Sequence, residues 1–178
     1  VLWILFDLRE GAGAPPQERR GMRRFAWGLL ALVVLQIVYG AFMAGKRAGF
    51  MYATFPTMNG EWIPTGLGAM SPGWRNLLEN PIGIHFMHRM LAYVVSVAIL
   101  VFWWFARRDE DQRRRRAAHG LLALLVLQMV LGIATVLTKV SIVIATAHQG
   151  AGFLLLCVAL YAAHGYRRRA EDESPRAS

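Results

Sequence analysis

Four stretches of this chain are too long and too free of charge to read as anything other than helices that cross a lipid bilayer. Phe25 to Gly45 runs for 21 residues without a charged side chain and Ala117 to Thr138 for 22; a helical span needs about 20. Val140 to Tyr166 is also uncharged, and Ile82 to Ala106 is interrupted only by Arg89. In hydrocarbon, backbone N–H and C=O groups find partners only within a helix or a closed barrel, and runs of this length select the helix. Composition agrees: 56% of the residues are hydrophobic and 17% charged, a balance ordinary in membrane proteins and rare in soluble domains. The single cysteine, Cys157, excludes an intrachain disulfide and reads as a small core residue.

A net charge of +9 raises nucleic acid as a partner. The basic residues, however, fall in short clusters between apolar runs, so membrane lipid is the partner they fit and nucleic acid is not. Fifteen of the twenty Lys and Arg lie on one side of the proposed membrane: Arg9, Arg19, Arg20, Arg23 and Arg24, six in 107–116, and four after the last span. The positive-inside rule then puts both chain ends in the cytoplasm. Short connections between neighbouring spans make them antiparallel. The predicted fold is an all-α membrane protein, a four-transmembrane-helix up-down-up-down bundle. Its spans cover about 25–45, 82–106, 117–138 and 140–166, with an outer loop at 46–81. Val1 to Leu8 reads as the cytoplasmic end of a preceding transmembrane helix, because Val1-Leu2-Trp3 is like Val101-Phe102-Trp103 and both run into Arg-containing segments. Residues 9–24 then form a cytoplasmic linker and 167–178 a basic tail, and the chain reads as a fragment of something longer.

The bundle is written twice. ALVVLQIVYGA (Ala31 to Ala41) and ALLVLQMVLGI (Ala123 to Ile133) match at seven of eleven positions with an offset of 92, which carries Gln36 onto Gln128 and Gly40 onto Gly132. The second and fourth spans repeat with an offset of 60, which carries His88 onto His148 and Arg107-Arg108 onto Arg167-Arg168. The unit is a helical hairpin used twice in the same orientation, so the copies are related by an axis along the membrane normal. Equivalent residues share a depth: His88 and His148 each lie seven residues past Pro81 and Ser141, about 10 Å in at 1.5 Å per residue.

An ionisable residue at membrane depth points to function, and two at symmetric positions on diagonal helices can face one central point. Neutral imidazole is a good axial ligand for haem iron. A tetrahedral zinc site fits less well, since no Cys, Asp or Glu lies at that depth. Arg89 follows its histidine directly. It either meets a haem propionate or snorkels to the headgroups. Gln36 and Gln128 read as interhelical hydrogen-bonding groups near mid-bilayer, and Gly40 and Gly132 either clear space at the cofactor level or let helices pack closely. His119 and His164 read as interfacial, beside arginines. His85 shares a helix face with His88 one turn nearer the outside, with a supporting or an interfacial role.

The outer loop is dense in aromatics and prolines, AGKRAGFMYATFPTMNGEWIP (Ala44 to Pro64) and SPGWRNLLENP (Ser71 to Pro81), and reads as a lid with Trp62 and Trp74 at headgroup level. This loop, followed by HFMHRMLAY (His85 to Tyr93) and ATAHQGAGFLLL (Ala145 to Leu156), closely resembles the C-terminal half of haem A synthases. The resemblance runs from about Phe25 to Arg169. It implies a b-type haem held between His88 and His148, in an enzyme of the cell inner membrane that oxidises a methyl group of haem O to the formyl group of haem A for cytochrome c oxidase biogenesis. It further implies that the substrate chemistry belongs to the other half, where the family has a Glu three residues before its histidine and this chain has His85. Haem O synthase and an electron donor are the partners such an activity calls for, and a homo-oligomer is compatible with it. Ala53, Thr57, His85 and Ser141 stand where the family usually has Asn, Leu, Gln and Pro. Two rival readings remain at this stage, a stand-alone bis-His membrane cytochrome b fed by a quinol and a haem-free transporter or scaffold.

Overall fold

The computed structural model describes Leu2 and residues 20–166. Four long helices dominate: α1 (Arg20–Gly45), α2 (Pro81–Ala106), α3 (Gln112–Leu137) and α4 (Ile142–Gly165). No strand forms among the described residues, and all four helices are long and apolar enough to cross a membrane. The all-helical four-span class expected from the uncharged runs is what the chain adopts. Of the segment read as the end of a preceding helix, Leu2 is helical. The rest of it, linker positions 9–19 and the tail 167–178 lie outside the described residues.

The turns at 107–111 and 138–141 are too short to do anything but reverse the chain, and the helices pack as a ring. Helix α3 lies most extensively on α4, α1 on α2, and the contacts α1–α4 and α2–α3 close the circle. This leaves α2 and α4 across the diagonal. The α3–α4 seam is built on small residues, Ala117 and Ala118 against an α4 face carrying Ala159, Ala162 and Ala163, all buried, which lets the backbones come close. Leu29, Val33, Ile84, Ile99, Phe102 and Leu121 fill the core. The outer faces are apolar too: Val97, Val126, Val130 and Phe153 are each about 60% exposed, a surface that suits acyl chains rather than water.

Helix bounds run past the uncharged stretches because helices continue into the headgroup region. Three of the helices have 26 residues, about 39 Å at 1.5 Å per residue, against about 30 Å of hydrocarbon. Thus α1 begins at Arg20, inside the stretch read as linker, and the arginines at 113–116 are helical. Asp111 caps α3, its carboxylate accepting from the Arg113 N–H at 2.8 Å.

The arginine-rich end is tied across the repeat. Asp109 is 3% exposed and accepts from the hydroxyl of Tyr166, just past α4, at 3.1 Å. The Arg114 Nε donates to the Gly165 carbonyl at 2.9 Å, and its guanidinium stacks 4.5 Å over the Tyr166 ring. Neighbouring Arg113 reaches the Nδ1 of buried His164. His164, expected at the interface, is thus an interior member of this cluster, while His119 accepts from the indole N–H of Trp103 at 3.1 Å on an exposed face.

Candidate functional site

The end of the bundle away from the arginines is closed by the loop at 46–80, and its attachment starts with helix chemistry. Pro81 occupies the first turn of α2 and Asn80 caps it, its side-chain oxygen accepting from the Ile82 N–H at 3.0 Å. The Asn80 amide also donates to the Gly66 carbonyl and to Asn76. A short helical turn, Arg75–Leu78, lies so tightly on α2 that a β-carbon at Gly83 would fall 2.0 Å from the Asn76 carbonyl oxygen. Only glycine fits there.

One turn further in, α2 grips the loop a second time. His85 is 1% exposed and Arg89 8%. The His85 Nδ1–H donates to the Ala48 carbonyl at 3.0 Å, and its Nε2 accepts from the Arg89 Nε–H at 3.0 Å. The rest of the guanidinium fans out over loop carbonyls, Thr54 at 2.9 Å, Thr57 at 3.3 Å and Pro56 at 3.5 Å. The fan holds the YATFP stretch. His85 donates with one nitrogen and accepts with the other, as a glutamine amide does. None of the loop partners is visible in the sequence, because those bonds join positions 32 to 37 residues apart. The density of turn-forming residues in YATFPTMNG is the available signal.

His88 and His148 lie on α2 and α4, the two helices across the diagonal of the bundle. Each ring rests against a glycine of its own hairpin: a β-carbon at Gly40 would stop 3.5 Å from the His88 Cε1, and one at Gly132 3.1 Å from the His148 Cε1. The repeated glycines therefore make room for the imidazoles themselves. Gln36 lies on His88, its Nε2 3.3 Å from Nδ1, 3.4 Å from the ring Nε2 and 3.2 Å from the His88 carbonyl oxygen, to which it donates. Gln128 behaves differently. Its Nε2 lies where a β-carbon at Gly152 would come within 2.8 Å.

Three polar atoms at this level are buried without a hydrogen-bond partner: Gln36 Oε1, Gln128 Oε1 and His148 Nδ1. Buried polar groups are nearly always paired, so three at one depth beside two histidines mark a place for a ligand. The residues fit a haem held by two imidazoles, with polar groups available to orient the ligands and apolar helix faces around them.

Comparison with known proteins supplies the rest. Residues 1–160 match the model of the COX15-CtaA family, described as cytochrome oxidase assembly proteins. The chain is 41% identical over 167 residues to the haem A synthase of Rhizorhabdus wittichii, which covers 93% of this chain and 47% of that protein. It is 41% identical over 177 residues to that of Rhodospirillum centenum (99% and 46%) and 36% identical over 172 residues to that of Nitrosospira multiformis (95% and 48%). The chain spans about half the length of the curated relatives it matches.

Proposed function

Because this chain belongs to the COX15-CtaA family, the haem A synthases, we propose that it is the C-terminal, haem b-holding half of such an enzyme, with His88 and His148 as the axial ligands of the iron. The observation that carries this reading is the pair of histidines on diagonal helices, each seated on a glycine of its own hairpin beside buried polar atoms that lack partners. Family membership favours it over a stand-alone cytochrome.

Bound there, haem b supplies a one-electron relay for the oxidation of a haem O methyl group to the formyl group of haem A in the other half of the protein. The residues of this chain hold and insulate that relay. His88 and His148 would hold it. Gly40 and Gly132 leave room for the Cε1 edges of their rings. The apolar faces keep water away, and the Arg89 fan fastens the loop over one end. Arg89 belongs to the cofactor-binding set as the buried cation adjacent to His88, offering a charge-assisted bond to a propionate. No residue of this chain is assigned to substrate oxidation.

The arginine-rich end faces the cytoplasm of a cell inner membrane and the 46–80 loop the opposite side, with Trp62 and Trp74, both well exposed, at headgroup level. Haem O is the substrate of the whole enzyme, and haem O synthase and an electron donor are its partners. The test is an optical spectrum of the full-length protein beside His88→Ala and His148→Ala. Each variant is expected to lose a low-spin b-type signal. An unchanged spectrum in both would overturn the ligand assignment.

A further inference from the structure

The two hairpins repeat, yet they treat their histidines unequally. Gln36 lies within hydrogen-bond distance of both ring nitrogens of His88. Its counterpart 92 residues on, Gln128, has its amide in the notch at Gly152 instead, and that amide makes no bond to the His148 Nδ1. The repeat itself differs at this point. Sixty residues before Gly152 stands Ala92. The first hairpin carries a methyl group at that position, and there Gln36 stays on the ring. Glycine leaves the position open in the second, where Gln128 drops in.

We propose that Gln36 is a positioning residue for the iron ligand His88, that it sets the tautomer and basicity of that ring, and that the Ala92/Gly152 difference leaves the two axial ligands chemically unequal. The proposal rests on the bis-histidine reading above and goes beyond it. An imidazole that ligates a metal through one nitrogen donates the other N–H to a neighbouring acceptor, and that bond fixes the ring and raises its basicity. The Gln36 amide carries both a donor and an acceptor. As described, the donor is engaged by the His88 backbone carbonyl while Oε1, buried, has no partner. Rotated away from the His88 carbonyl, and giving up that bond, the amide would present this oxygen to the imidazole N–H. The more strongly the acceptor pulls, the more electron density the ligand gives to iron, and the more the oxidised state is favoured.

The experiment is a potentiometric titration of the haem in the full-length protein, followed by absorbance. Gln36→Glu, a stronger acceptor, is expected to lower the midpoint potential. Gln36→Leu, which removes the acceptor, is expected to raise it and to weaken haem retention about 10- to 100-fold, the usual cost of losing such a partner. Gln128→Leu is expected to leave the potential near that of the unmodified protein. Gly152→Ala, which closes the notch with a methyl group, is expected to turn Gln128 toward His148 and lower the potential. A normal low-spin spectrum with no shift in Gln36→Glu or Gln36→Leu would overturn this proposal alone, as would equal shifts for Gln36→Leu and Gln128→Leu. Absence of the low-spin signal from the unmodified protein would overturn the bis-histidine reading as well.

Discussion

Gly132 and His148 are in such close register that a β-carbon on the glycine would come within 3.1 Å of the ring's Cε1, tighter than the 3.5 Å that separates the same point on Gly40 from His88. A methyl group at Gly132 forces the imidazole to move; one at Gly40 makes an ordinary contact. Gly132→Ala is therefore expected to cost about 1–3 kcal/mol, the range for overpacking, and Gly40→Ala well under that. Thermal unfolding in detergent checks the order of the two, and equal losses would show that the glycines serve helix packing alone.

Arg89 and His85 fasten the loop, and the chemistry of the tie separates its variants. Arg89→Lys keeps the charge but gives up the fork that spans Thr54, Pro56 and Thr57. We expect limited trypsin digestion in the 46–80 loop to accelerate about 10-fold or more, since hydrogen bonds to a charged group contribute about 1.5–3 kcal/mol each. His85→Gln, which still donates and accepts, should digest at nearly the unmodified rate, whereas His85→Leu should resemble Arg89→Lys.

At the arginine-rich end, Tyr166→Phe removes a hydroxyl that donates to the buried carboxylate of Asp109. Hydrogen bonds to charged groups are worth about 1.5–3 kcal/mol, and a loss of that size is expected in detergent unfolding. Asp109→Ala should cost more, roughly 3 kcal/mol or above, because Arg114, 5% exposed, loses one of its two carboxylate neighbours.

The loop also carries an acid-sensitive clasp. Glu61 accepts from the backbone N–H of Thr65 at 2.6 Å and from its hydroxyl at 2.8 Å, and these bonds hold its carboxyl below the ordinary value of 4.5. A depressed carboxylate contributes its stabilisation above the unfolded pKa and loses it as pH falls through the folded one. Loop protection from an acid-tolerant protease is therefore expected to be flat above about pH 5 and to fall below the ordinary carboxylate range. Glu61→Gln should remove most of that dependence, and an unaltered profile would place the acid response elsewhere.

What could be read from the chain alone follows the strength of each physical signal. Uncharged runs of 21 and 22 residues leave a backbone in lipid almost no alternative to a helix, so the four helices were legible, and the repeat offsets brought His88 and His148 to one depth. Helix ends were less legible, because charge marks the edge of hydrocarbon and the backbone continues past it, as at Arg20 and Gln112. The Arg89 fan and the Asp109–Tyr166 bond were not legible at all: they join groups 35 and 57 positions apart, and no local pattern encodes such a meeting. The acidic DED at Asp109 to Asp111, set among arginines, was the one hint of the second. The sequence marks the glycines only as small residues near the cofactor level; their contact with the imidazole rings exists only in three dimensions.

The 46–80 loop belongs to one hairpin only; the other turns back within 138–141. A ligand placed between two copies of the same wall, related by an axis through the middle, meets almost the same surroundings after a half rotation, and would populate two arrangements with little to choose between them. A cover fastened to one copy by Arg89 and His85 removes that degeneracy. It tells a planar guest front from back.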